Sequence, residues 1–88
     1  MEKFKDIKIT TIIDVRSTDE FMGGHVPGSI NIPLNEIPDR LEEFVGKENI
    51  IFCCASGNRS GQATSYLHSR GFKCENGGSW MSVNFKTK

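Results

Sequence analysis

Asn49-Ile50-Ile51-Phe52-Cys53-Cys54-Ala55-Ser56-Gly57-Asn58-Arg59-Ser60 is the stretch on which the reading turns. Ile50 to Ala55 is apolar without a break, as expected of a strand buried on both faces. A short loop containing Gly57 follows. From Ser60 to Arg70 the side chains of Ala63, Tyr66, Leu67 and Arg70 fall on one side of a helix, with Ser60 placed to cap its start and Gly71 its end. A buried strand running into a helix is the repeating unit of a parallel sheet, and in such sheets chemistry gathers beyond the carboxyl ends of the strands.

The flanking sequence repeats the alternation. Lys8 to Val15 is rich in β-branched residues and reads as a strand. Ser17 to Met22, opened by hydroxyl and acidic residues and closed by Gly23-Gly24, reads as a short helix. Ser29 to Ile32, before Pro33, reads as a second strand. Over Asn35 to Val45, Ile37, Leu41, Phe44 and Val45 recur on one helical face, with Pro38 in the first turn and Gly46 at the end. Phe72 to Glu75 reads as the last strand, ending at Gly77-Gly78. The expectation is an α/β fold: about four parallel strands flanked by helices, forming a single domain over residues 1–88.

Composition narrows the function. The chain has 88 residues, with 11 Lys and Arg balanced by 11 Asp and Glu. This neutrality argues against nucleic-acid binding by bulk charge and against a polybasic membrane surface. No apolar run approaches the length of a membrane span, and Met1 to Asp6 lacks the apolar centre of a signal peptide, so a cytoplasmic protein is expected. The three cysteines, Cys53, Cys54 and Cys74, are an odd number and include no Cys-x-x-Cys pair. Neither a disulfide framework nor a zinc site is expected, which leaves buried thiols or reactive ones.

Cys54 is the candidate nucleophile. It stands at a strand end, before a glycine-containing loop whose successive N–H groups can form an anion-binding concavity, and ahead of a helix start. Each feature favours a thiolate over the bland alternative of one more buried cysteine. Arg59 adds a permanent cation suited to an anionic substrate.

The segment Cys54 to Ser60 resembles the active-site loop of rhodanese-like sulfurtransferases. So do Asp14-Val15-Arg16, Glu20-Phe21, Gly24-His25-Val26-Pro27-Gly28-Ser29-Ile30-Asn31-Ile32-Pro33, Gly71-Phe72, and Gly77-Gly78 with Trp80. The resemblance runs from about Ile9 to Trp80 and is nearest to the small single-domain type. It implies transfer of sulfane sulfur from a donor such as thiosulfate to a cellular thiol or cyanide, through a persulfide on Cys54. Ala55, Ser56, Gly57, Asn58, Arg59 and Ser60 would then form the substrate cradle. No metal or organic cofactor is implied. The expected partners are the small-molecule donor and acceptor, with a sulfur-relay protein as a further option, and the chain is expected to act as a monomer.

Two positions depart from the family pattern. Ala55 stands where thiosulfate-using members often carry a basic residue, and Asn76 stands where an acidic residue often precedes Gly-Gly. Two rival functions follow. A phosphatase or arsenate reductase would count Cys53-x5-Arg59 as its signature, although Gly57 then falls out of step. A non-catalytic interaction module would not need Cys54 at all. Asp14, Arg16, His25, Tyr66 and Trp80 read as structural groups, with Arg16 expected to pair with Glu20 four positions on, and His68 reads as a solvated residue of the last helix. Cys53 and Cys74 read as core, with a resolving-thiol role as the sharper option.

Overall fold

A computed structural model describes residues 10–87. Four strands form one parallel sheet in the order β2-β1-β3-β4. They are β1 (Thr11–Asp14), β2 (Ile30–Asn31), β3 (Ile50–Cys54) and β4 (Cys74–Ser79). The helices are α1 (Thr18–Met22), α2 (Asn58–Ser69) and α3 (Trp80–Thr87), with a 3-10 segment over Leu34–Phe44. This is the α/β architecture expected from the alternation. Lys8 and Ile9 of the expected first strand lie outside the described residues, as does the Met1 to Asp6 segment.

β3 is central, pairing with β1 through Thr11↔Ile50 to Asp14↔Cys53 and with β4 from Ile50↔Cys74 onward. Its side chains alternate between faces. Ile50, Phe52 and Cys54 join the larger core with Ile13, Ile37, Phe44, Ala63 and Leu67, beneath α2 and the 3-10 segment. Cys53 belongs to a smaller cluster on the other face, with Val26, Val83, Ile12 and Trp80.

The structure corrects several expected boundaries. The segment from Leu34 is not an α-helix. Pro38 removes a backbone donor from its interior, and Arg40 departs from helical geometry at φ −126° and ψ 28°, so two short turns meet at a kink. Arg40 bridges that kink with ion pairs to Glu36 and Glu43 at 2.9 and 2.7 Å. Ile37 and Phe44 face the core as the spacing predicts, but Val45 lies past the end and is exposed. α2 starts at Asn58, so Ser60 is not its cap; Gly57, at φ +100°, takes that place. β4 continues through Gly77-Gly78 to Ser79, and α3 follows directly, although Trp80 to Thr87 carries no clear amphipathic stripe in the sequence.

Gly77 explains how β4 accommodates its irregularity. The β3–β4 register shifts between Phe52 and Cys53, where Asn76 and then Gly78 are the successive partners, so Gly77 is the extra residue. A Cβ there would lie 2.7 Å from both Ile51 Cγ2 and Val83 Cγ2. Gly77→Ala is therefore expected to destabilise the fold by about 1–3 kcal/mol through overpacking. A thermal melt followed by circular dichroism reads this, and an unchanged midpoint would refute the close approach.

Candidate active site

The carboxyl ends of β1 and β3 bring two polar systems together. The first is an ion pair at the end of β1. Asp14 is fully buried and Arg16 nearly so, and their side chains meet in a two-pronged contact. Arg16 Nε lies 2.9 Å from Asp14 Oδ1, and its Nη2 lies 2.7 Å from Oδ2. Arg16 makes further contacts nearby. Arg16 Nη2 also donates to the carbonyl of Gly24 at 2.7 Å, and the guanidinium carbon sits 4.9 Å from the centre of the Trp80 ring. Arg16 thus does not pair with Glu20 as expected. A carboxylate buried two residues away needs the cation more than one exposed on α1 does.

The second system is the loop after β3. Cys54 is the last residue of that strand, not the first of the loop, and is only 1% exposed. The chain turns back over its sulfur, so that the N–H of Gly57 donates to Sγ at 3.0 Å and that of Ser60 at 3.4 Å. Ser60 Oγ lies 3.4 Å from Sγ. The left-handed backbone at Gly57 makes this turn, and Gly78 underlies it, its Cα 3.3 Å from where a Gly57 Cβ would be. Burial opposes a charge on Cys54, but the Ser60 hydroxyl and the N–H groups of Ser60, Ser56 and Gly57 outweigh it and bring its pKa down from 9.0 to about 7. Burial among apolar groups with Asp14 nearby pushes Cys53 up to about 12. A phosphatase signature counted from Cys53 would thus place its nucleophile on the wrong face and in the wrong ionisation state.

The predicted site residues divide. Cys54, Gly57 and Ser60 come together around the sulfur. Ala55, Ser56 and Asn58 are exposed on the loop's outer side. Arg59 turns toward α1, where Nη1 and Nη2 bind the two carboxylate oxygens of Glu20 at 2.8 and 3.0 Å. It is a paired cation, not a free one. The Arg59 hydrogen bond is the chief cause that lowers the Glu20 pKa to about 2. Glu20 also closes the start of α1 in a reciprocal cap with Ser17, which fixes its carboxylate toward the loop.

The remaining candidates lie in contacts away from the sulfur. His25 stacks on Phe21 at 3.7 Å between ring centres and contacts the Phe21 carbonyl through Nδ1. His68 meets the Cys74 carbonyl at 2.9 Å. Trp80 packs over Arg16 and Gly24. Two residues that the sequence reading left out of the site belong beside it: Glu20, through Arg59, and Asn76, which accepts a hydrogen bond from Ser60 at 2.6 Å. The Ser17-x-x-Glu20 capping signature was visible in the sequence, but a partner 39 positions away was not. A cavity of about 870 Å³ lies at the opposite end of β3 and β4, against Phe44, Ile51 and Phe72, and does not include Cys54.

A sequence model of the Rhodanese-like domain matches residues 1–81. The chain belongs to the rhodanese-like family. It is 33% identical over 88 residues to the putative sulfurtransferase YtwF of Bacillus subtilis (strain 168), covering 99% of this chain and 85% of that protein. It is 39% identical over 62 residues to the putative sulfur carrier protein YrkF of the same organism, covering 70% of this chain but 34% of that one. Another curated relative is longer still, and the chain spans 20% of it. Among solved structures, one described as rhodanese with anions from E. coli superposes with a TM-score of 0.74 at 36% identity, covering 83% of this chain and 89% of the other. The fold of the chain, a four-stranded parallel sheet flanked by helices, is the rhodanese-like fold.

The two adjacent thiols should titrate far apart. Alkylation of Cys54 by iodoacetamide, located by peptide mass, is expected to rise with pH around a midpoint near 7, because the folded chain holds the thiolate below its ordinary range. Cys53 should stay unmodified throughout the range in which the fold is intact. Comparable labelling of both thiols at neutral pH would contradict this assignment.

Proposed function

We propose that this chain is a sulfurtransferase of thiosulfate sulfurtransferase type, working through a persulfide on Cys54. The observation that carries the reading is the ring of donors around Cys54 Sγ, from Gly57 and Ser60, at the mouth of α2. Those groups stabilise a thiolate before reaction and suit the anionic outer sulfur of a persulfide after it. In the first half-reaction the Cys54 thiolate attacks the outer sulfur of a donor such as thiosulfate. A sulfur–sulfur bond forms to Cys54, the donor's own sulfur–sulfur bond breaks, and sulfite leaves with the electron pair. In the second, cyanide or a cellular thiolate takes the outer sulfur and Cys54 departs as a thiolate. This is covalent catalysis in two steps, so ping-pong kinetics are expected.

The substrate cradle runs from Ala55 to Ser60, with the backbone N–H groups as its main anion donors. Arg59 contributes by exchanging Glu20 for the donor anion, a modest effect for a partly exposed pair. Arg59→Ala is expected to raise the KM for thiosulfate by a few-fold, up to about tenfold, with kcat less affected. The unit formed by residues 1–88 acts as one domain, a monomer in the cytoplasm, where its thiols stay reduced. The likeness to a protein named as a putative sulfur carrier supports an acceptor that is a relay protein.

Intact mass after thiosulfate treatment tests the reading. Wild type and Cys53→Ser should each gain about 32 Da for the added sulfur, and Cys54→Ser should gain nothing. An adduct that survives in Cys54→Ser, or is lost in a folded Cys53→Ser, would refute Cys54 as the nucleophile.

A further inference from the structure

Asn76 lies on β4, across from the loop, and makes three hydrogen bonds, two of them to Gly57 and Ser60 and one within its own strand. Its Nδ2 donates to the Gly57 carbonyl at 3.1 Å, and its Oδ1 accepts from the Gly78 N–H at 3.0 Å and from the Ser60 hydroxyl at 2.6 Å. We propose that Asn76 is a positioning residue for Cys54 that acts through the Ser60 hydroxyl, holding its proton while Cys54 is a thiol and releasing it to the sulfur when Cys54 ionises. This rests on the reading of Cys54 as the nucleophile.

The neighbours of Asn76 fix the orientation of its amide. Turning the Asn76 amide over would set its NH2 against the Gly78 N–H and its oxygen against the Gly57 carbonyl. Oδ1 therefore faces Ser60. A serine hydroxyl has one proton to give. Two acceptors stand within its reach, Asn76 Oδ1 at 2.6 Å and Cys54 Sγ at 3.4 Å. While Cys54 carries its proton, Ser60 donates to Asn76, and the Cys54 S–H can donate to the freed lone pair of Ser60. When Cys54 loses its proton to solvent, Sγ becomes the stronger, charged acceptor and the hydroxyl turns toward it. Oδ1 is not orphaned by this turn, because the Gly78 N–H stays bonded to it. The rotation moves no atom between residues, and the only proton released is that of Cys54.

A neutral amide suits this exchange because it is weak enough to lose the hydroxyl to a thiolate. A carboxylate in its place would keep the hydroxyl and repel the thiolate through space. The other charges near Cys54 are Arg59 on α2, held by Glu20 of α1, and Asp14 on β1, held by Arg16. None of them contacts Asn76, so substitutions at Asn76 leave these pairs in place.

The test is the pH dependence of Cys54 alkylation by iodoacetamide. Asn76→Ala should lower its midpoint by about 0.5–1 pH unit, since only the thiol form loses a hydrogen bond. Asn76→Asp should raise it by about one unit, leaving roughly fivefold less thiolate at neutral pH. In a Ser60→Ala background, Asn76→Ala should no longer lower the midpoint. A purely structural Asn76 would instead move both variants the same way, by loosening the loop. Shifts of the same sign, no shift, or a lowering that persists without the Ser60 hydroxyl would overturn the proposal. If Asn76→Asp does not fold, the sign of the Asn76→Ala shift with and without Ser60 decides alone. The persulfide adduct is measured separately by mass. Its absence beside the expected midpoint shifts would refute sulfur transfer but not the role of Asn76.

Discussion

The buried Asp14–Arg16 pair is the constraint around which this end of the molecule is arranged. A carboxylate with no exposure cannot stand without a partner, and a guanidinium at the edge of the core cannot be left half-bonded. The pair and the backbone that carries it draw in three distant pieces of chain. The Gly24 carbonyl takes an Arg16 N–H, Trp80 covers the guanidinium face, and Asn31 donates through Nδ2 to the backbone carbonyls of Asp14 and Arg16 at 3.0 Å each. The end of β1, the turn after α1, the β2 edge and the start of α3 are thus fixed together. Cys54 stands on the neighbouring strand, at the same end of the sheet.

Around the sulfur, local backbone geometry does what charged side chains do in many other anion sites. The thiolate is stabilised by N–H groups and one hydroxyl, while the permanent cation of the loop is occupied by Glu20. Donors fixed by the turn at Gly57 need no reorganisation when charge appears on sulfur. Gly77 lets β4 pass beneath Ile51 and Val83, and the Gly78 backbone lies so close to the loop that a Cβ on Gly57 would come within 3.3 Å of its Cα.

Much of this was legible in the sequence, and the limits have physical causes. The buried strand Ile50–Cys54 announces itself because both its faces are apolar, and the Gly57 loop because few other residues adopt that backbone angle. The strand–loop–helix order then singles out Cys54. The Leu34–Phe44 segment misled because its apolar spacing suits a helix, while Pro38 breaks the hydrogen-bond ladder beneath that pattern. α3 has only one fully buried side chain, Val83, and so leaves little periodicity to detect. The pairing of Glu20 with Arg59 and the reach of Asn76 to Ser60 are long-range contacts that no local pattern encodes.

Adjacent thiols on opposite faces of a sheet have one more consequence. Cys53 points into the cluster of Val26 and Val83, while Cys54 points toward α2, and the sheet itself separates their sulfurs. Cys74 is paired with Ile50, four residues back along β3 from Cys54, or about 13 Å at the usual rise of a strand. Neither thiol can reach Cys54 to form an internal disulfide. On the proposed function, a sulfur atom loaded on Cys54 would therefore be protected from self-discharge, its dwell time set by the arrival of outside nucleophiles, and the chain would behave as a charged reservoir with a single outlet.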